Sequence, residues 1–321
     1  MANRSFVAIS DIHAGTSLTK WRRNCLPDIL AKVEYVVDQC EMNDHLIIAG
    51  DLFNSYEASH STVAALHGVL SKSKPCPGSP RGRSYTNHVL GVTGQHDLPK
   101  HGDWKRGPVY PLSWEFAHEA IRGVPQLHLT VFEDDGFTVG FAPFGTTEFD
   151  DGLCQQLDLL IMHDMLVPSS VPWTHTLLDD FARMFDDSKE RVIVCGDNHT
   201  GYPPTKIGTT WFVNPGALTR TQRSDNPRTP QYARIQYTDD GVQIEYHEIP
   251  HLPADEVFDM TGYGGERIEA TPEISEFVQQ LKQTDADLTA IDFDKLDTAD
   301  PDIVAVVREA NDKARKELGY E

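Results

Sequence analysis

Apolar residues fall along this chain in short dense runs, most of them closed by glycine or a polar residue. FVAIS (6–10), HLIIAG (45–50), HVLGVTG (88–94), FTVGFAPFG (137–145), LDLLIMH (157–163), RVIVCGDNH (191–199) and TTWFVNPG (209–216) each read as a buried strand. Between the first two, Ile29, Leu30, Val33, Val36, Val37 and Cys40 recur at helical spacing behind Pro27, which predicts a helix over 27–42. A second helix is expected over 57–72, ahead of the Pro/Gly/Ser-rich loop KPCPGSPRGRS (74–84). Short strands alternating with helices indicate an α/β fold. Later the spacing tightens: QYARIQY (231–237) and VQIEYHEI (242–249) flank TDDG, the pattern of a hairpin. Two amphipathic helices, PEISEFVQQLKQ (272–283) and PDIVAVVREANDKARKEL (301–318), are expected in the tail. A boundary near residue 250 therefore separates a main domain, 1–250, from an acidic helical extension, 251–321.

Composition narrows the class. At 321 residues the chain can bury a sizeable core, and 39% hydrophobic with 24% charged residues is ordinary for a soluble globular protein. No apolar run reaches the length of a membrane span, and MANRSFVAIS enters a strand rather than a secretory signal, so a cytoplasmic protein with no membrane partner is expected. Cys25, Cys40, Cys76, Cys154 and Cys195 are odd in number and form no CxxC pair, which predicts free thiols. The formal net charge of −21 works against general attraction to nucleic acid or anionic membrane. Residues 251–321 carry 18 acidic and 7 basic residues, so the excess is concentrated there.

Metal-ligand residue types recur at the ends of five of the apolar runs. SDIHAG presents Asp11 and His13, AGDLFN presents Asp51, and TGQHD presents Gln95, His96 and Asp97. IMHD presents His163, and CGDNH presents Asp197 and His199. Each motif alone is weak, since a polar residue after a strand is more often a turn. Ligands of α/β sheets bind at the carboxyl ends of strands, so five such ends can converge on one point. Five independent turns become the poorer explanation. No phosphate loop of the GxxxxGK[ST] kind, GxSxG elbow or GxGxxG opening a helix competes with this chemistry, and GYGG (262–265) follows no strand.

Together these motifs resemble the calcineurin-like metallophosphoesterase superfamily, whose pattern runs D-x-H, G-D-x-x-D/N, G-N-H-D/E, a lone H and G-H-x-H. DIH, GDLFN and IMHD match its first, second and fourth elements. Within it, SDIHAG, GDLFN and NPGALTR are most similar to the Mre11/SbcD-type DNA repair nucleases and their phage relatives. The resemblance covers residues 5–220. It implies a four-layer α/β/β/α sandwich, here with a C-terminal α-rich appendage, and two divalent metal ions. The first ion would use Asp11, His13, Asp51 and His199; the second would share Asp51 and add Gln95, His163 and Asp197.

Two of these positions depart from the family pattern. Gln95 stands where Asn is usual, and Asp197 stands where the first His of G-H-x-H is usual. The resulting oxygen-rich set favours Mn²⁺, with Mg²⁺ as the alternative; the other reading is a weak second site filled only with substrate. By analogy, a metal-bridging hydroxide attacks in line, His96 faces the scissile phosphate, and Asp97 fixes the His96 tautomer.

A nuclease needs cations near its site. Lys20, Arg22, Arg23, Lys100, Lys105, Arg106, Arg220, Arg223 and Arg228 follow the motif strands and are expected on the rim. Arg22, Lys100, Arg106, Arg220 and Arg223 are the candidate substrate contacts. DNA exo/endonuclease activity is the first reading. A phosphoesterase for a small phosphodiester or nucleotide is the second, and a non-catalytic binding subunit with a decayed second site is the third. Expected partners are DNA, an SbcC/Rad50-like ATPase docking on the tail stripe Ile303, Val304, Val306 and Val307, and a second copy of the chain as a homodimer.

Overall fold

A computed structural model describes residues 4–15, 21–23, 25–41, 44–71, 89–98, 129–134, 136–171, 174–186 and 188–261. In chain order the elements are β1 (Arg4–Ile9), α1 (Cys25–Gln39), β2 (Asp44–Ala49), α2 (His60–Leu70), β3 (Val89–Val92), β4 (Thr130–Asp134), β5 (Phe137–Ala142), α3 (Asp151–Gln156) and β6 (Leu159–His163). There follow β7 (Leu166–Val167), β8 (Thr176–Leu177), α4 (Leu178–Ala182), β9 (Arg191–Gly196), β10 (Tyr202–Ile207), β11 (Thr210–Asn214), β12 (Gln231–Thr238), β13 (Gly241–Glu248) and α5 (Ala254–Val257).

The strands form two main sheets, ordered β13-β12-β1-β2-β3 and β10-β11-β9-β6-β5-β4, with β7 and β8 as a small separate pair. β1, β2 and β3 run parallel, as do β5, β6, β9 and β11; the antiparallel strands lie at the margins. Period-two alternation explains the layering. On β1, Phe6 and Ala8 enter the core between the sheets, while Val7 and Ile9 pack beneath α1 and α2. On β9, Val192 and Val194 face the same inter-sheet core, while Ile193 and Cys195 face α3 and α4. Strands covered on both faces need apolar residues at every position, which is why they read as unbroken runs. The outcome is the expected α/β/β/α sandwich.

Two edge strands of the main sheets, β10 and β4, escaped the hydrophobic pattern, as did the short pair β7 and β8. β10 contains Pro203 and Pro204, which argue against a strand, yet it lies at a sheet edge and both prolines fall in a register shift, outside the paired residues of its ladder with β11. Its pairing with β11 shifts register between Tyr202 and Thr205. β4 occupies the opposite edge.

The described chain continues past residue 250 against the main body. Val257 and Phe258 are fully buried, Val257 accepts from the Arg23 N–H, and Asp259 donates to the Trp21 carbonyl. The two helices expected in the tail and the loop expected at 74–84 lie outside the described residues. Cys25, Cys40, Cys154 and Cys195 are buried free thiols; Cys76 lies outside the described residues. Among the described residues no helix is long and apolar enough to cross a membrane.

Candidate metal centre

Each motif strand delivers its candidate ligands just beyond its last residue, or on it. The loops after β1 and β2 run side by side: the Asp11 N–H donates to the Gly50 carbonyl, His13 to Asp51 and Ala14 to Leu52. Asp11, His13, Asp51 and Asp197 have φ of 51°, 48°, 48° and 71°, and they are the non-glycine residues with positive φ among the described ones. A left-handed backbone costs such a residue about 1–2 kcal/mol. That all four are candidate ligands shows strain concentrated where side chains must be aimed at one point. The glycine of CGDNH is needed for a different reason: a Cβ on Gly196 would lie 2.0 Å from the Ala49 carbonyl oxygen of the facing sheet.

The stretch NPGALTR acts as a strap across two ligand loops. Ala217 donates to the His199 carbonyl, Leu218 to the Ser10 carbonyl, and the Thr219 hydroxyl to the Ile12 carbonyl at 2.6 Å. Asn214 holds the strap's bend by accepting from the Gly216 N–H. The segment therefore fixes Asp11, His13 and His199 relative to one another.

All seven candidate ligands come together. His13 Nε2 and His199 Nε2 are 3.1 Å apart, with Asp51 Oδ2 3.7 Å from the first and Asp11 Oδ1 3.5 Å from the second. On the other side, His163 Nε2 lies 2.8 Å from Gln95 Oε1, 3.6 Å from Asp51 Oδ2 and 3.9 Å from Asp197 Oδ1. Asp51 Oδ2 thus sits between two groups of ligand atoms, as a shared ligand must. Gln95 and Asp197, the unusual pair, also bond each other through the Gln95 amide at 2.8 Å.

The donor set fits divalent cations. His163 Nδ1 faces the Ala49 carbonyl at 2.8 Å, and a carbonyl only accepts, so Nδ1 carries the proton and Nε2 presents a lone pair inward. That lone pair meets carboxylate and amide oxygens, and the His13 and His199 nitrogens likewise converge. Asp11 Oδ2 and Asp51 Oδ2 are buried without any hydrogen-bond partner. Buried acceptors crowded together without donors are costly; cations between them supply the missing partner.

Electrostatics agree. Burial pushes the Asp51 carboxyl up to about 8 against the pull of His163, with Asp97 and Asp11 adding to the rise. Burial also acts to raise Asp11, but the hydrogen bond from His199 and the nearby His163, His199 and His13 rings hold it well below the usual carboxylate range. Burial drops the His13 imidazole to about 3, with Asp11 opposing. His163 moves upward, because Asp51 and Asp11 outweigh its burial.

His96 is half-exposed at the edge of this cluster, Nε2 4.0 Å from Asp51 Oδ2. Its backbone N–H donates to Asp51 Oδ1 at 2.9 Å. The tautomer partner is not Asp97. His96 Nδ1 faces the Asn54 carbonyl at 3.1 Å, while the buried Asp97 carboxylate accepts the backbone N–H groups of Leu52, Phe53 and Gly94. Asp97 therefore shapes the loops that carry Asp51 and Gln95. Asn54 was missed because a backbone acceptor has no side-chain signature.

The cationic rim also needs correction. Arg22 is buried, pairs with Asp28 at 2.6 Å and donates to the Arg220 carbonyl. Arg220 is 1% exposed and donates to the Leu252 carbonyl. Neither is a substrate contact: each serves the packing of the strap, and Arg228 does the same on the Ala217 and Thr219 carbonyls. Arg223 is partly buried, its guanidinium 4.2 Å from the centre of the Trp21 ring. Lys100 and Arg106 lie outside the described residues, as do Lys20 and Lys105.

Comparison with known proteins gives the same family. No curated relative matches the chain. Among solved structures, a dimetal phosphatase from Danio rerio is 12% identical, covering 76% of this chain and 96% of its own, with a TM-score of 0.51. Two others are a protein from Streptococcus pneumoniae titled a predicted phosphoesterase (16% identity, 78% and 94% coverage, TM-score 0.35) and Vps29 from Chaetomium thermophilum (13%, 77% and 100%, TM-score 0.33). The zebrafish likeness supports the fold. The calcineurin-like phosphoesterase superfamily domain matches residues 5–240, which include every candidate ligand, and the chain belongs to that superfamily.

Proposed function

We propose that this protein is a metal-dependent phosphodiesterase that hydrolyses DNA, of the Mre11/SbcD kind. The observation that carries the phosphodiesterase reading is His96 beside the cluster. With Nδ1 on the Asn54 carbonyl, Nε2 is the nitrogen that exchanges its proton next to the shared ligand Asp51. A phosphodiester leaving oxygen needs such a proton donor, and His96 is exposed enough to reach one. Asp51, with Oδ1 held by the His96 N–H, keeps Oδ2 aimed between the two ligand groups. Bound divalent ions would supply Lewis acidity, acidifying water and neutralising charge on the phosphoryl oxygens. Gln95 and Asp197 make the second ligand group rich in hard oxygen, which favours Mn²⁺.

DNA as the substrate rests on the likeness of SDIHAG, GDLFN and NPGALTR to Mre11/SbcD nucleases. The inward-turned Arg22 and Arg220, with a net charge of −21, favour a second reading: a small phosphodiester or nucleotide. Digestion of linear single- and double-stranded DNA with Mn²⁺, Mg²⁺ or EDTA, beside bis-p-nitrophenyl phosphate and an Asp51→Ala control, separates them. Mn²⁺-dependent, salt-sensitive loss of DNA supports the nuclease. Hydrolysis of the small ester alone supports the second reading. An SbcC/Rad50-like ATPase on the tail belongs to the nuclease reading, and binding unaffected by removal of residues 270–321 would refute it.

A further inference from the structure

Phe144 is the one large apolar side chain among the described residues that stands exposed, at 39%. Its place sets it apart from an ordinary surface phenylalanine, because its ring lies 6.4 Å from the His163 imidazole, edge to face. The backbone holds it there. The Phe144 N–H donates to the Thr93 carbonyl at 2.9 Å, tying it to the end of β3 that leads to Gln95. Pro143 to Thr146 close a tight turn, in which the Thr146 N–H and hydroxyl donate to the Pro143 carbonyl at 3.1 and 2.7 Å. Gly145 has φ of 85°, the mark of a type II turn with Phe144 at its second position.

We propose that Phe144 is a stacking platform that takes a planar ring of the substrate, a nucleobase beside the scissile phosphate, on the Gln95–His163 side of the metal centre. The identity of the ring rests on the DNA reading above. Stacking suits this molecule for a reason in its side chains: with Arg22 and Arg220 turned inward and Arg23 paired with Asp259 at 3.4 Å, fewer of the expected rim cations are left to meet phosphate. A base presents a π face whatever its identity, so an aromatic platform takes bases without sequence preference, through a contact that needs no cation of its own.

The test compares an intact single-stranded oligonucleotide with one carrying abasic tetrahydrofuran residues throughout, both with Mn²⁺. The wild type should show a KM at least about fivefold lower for the intact strand. Phe144→Ala should collapse that preference to within about twofold by raising KM for the intact strand, and Phe144→Trp should keep it. A preference unaltered in Phe144→Ala, or a KM that rises equally on both strands, overturns the proposal. If the wild type hydrolyses bis-p-nitrophenyl phosphate but neither oligonucleotide, the DNA reading fails by itself. In that event a KM for the ester unchanged in Phe144→Ala overturns the platform too, and a raised KM upholds it for a different planar ring.

Discussion

Gly94→Ala places one methyl group against the shared ligand. Gly94 has φ of −95° and an extended ψ, a backbone any residue adopts, so the consequence is purely steric. The added Cβ would lie 2.0 Å from Asp51 Oδ1, 2.6 Å from Asp51 Cγ and 2.6 Å from the Asp51 backbone nitrogen. To restore a 3.0 Å contact the carboxylate oxygen must retreat by about 1 Å, and the clash with backbone means a rotamer change alone cannot absorb it. The retreat breaks the 2.9 Å bond from the His96 N–H and carries Oδ2 away from His13 and His163. Overpacking costs about 1–3 kcal/mol and a lost hydrogen bond about 0.5–1.5 kcal/mol, so a loss of about 2–4 kcal/mol in metal-free stability is expected. Metal–ligand distances tolerate about 0.2 Å, so binding should suffer far more than folding. Calorimetric titration with Mn²⁺ and elemental analysis would read the stoichiometry, with urea unfolding in EDTA as the stability arm. Gly68→Ala on α2 is the control: its Cβ meets nothing within 4 Å, and it should stabilise by about 0.5–1 kcal/mol. Wild-type stoichiometry and affinity in Gly94→Ala would refute the shared-ligand geometry.

Three further changes probe different parts of the molecule. His96→Ala should lower kcat by about 10²–10⁴ with metal content retained, and loss of metal would make His96 a ligand instead. Asp197→His should move the metal preference from Mn²⁺ toward Zn²⁺, read by competitive binding; an unchanged order would remove Asp197 from the ligand set. Burial, with Asp28 opposing, lowers the Lys32 pKa from 10.5 to about 8. The folded chain releases this proton near pH 8 and the unfolded chain near 10.5, so the cost of burying the charge is full below pH 8 and relieved as pH rises across that window. Urea titrations should therefore show wild type gaining on Lys32→Met by roughly 3 kcal/mol between pH 8 and 10.5, and a constant gap would refute it.

How much of this was legible in the chain depends on what kind of signal each feature leaves. β1, β2, β6 and β9 were readable because burial on both faces demands apolar residues at every position. α1 was readable because its apolar residues recur at 3.6-residue spacing under one sheet. β10 was not: two prolines contradict a strand, and only its place at the edge together with the register shift at Pro203 and Pro204 makes them harmless. The rim arginines misled because position after a motif strand says nothing about which way a side chain turns. Arg22 and Arg220 turned inward, toward a carboxylate and backbone carbonyls.

By itself the sequence determined the α/β class, the order of the motif strands and the chemical types at their ends, because periodicity and residue identity are local properties. Only the tertiary structure decided that Asp51 stands between two ligand groups, that Asn54 rather than Asp97 faces His96, and that Phe144 stands exposed at the centre's edge. These are relations between residues tens to hundreds of positions apart, Asp11 and His199 among them. They arise from two sheets packing face to face, and no local pattern records that packing.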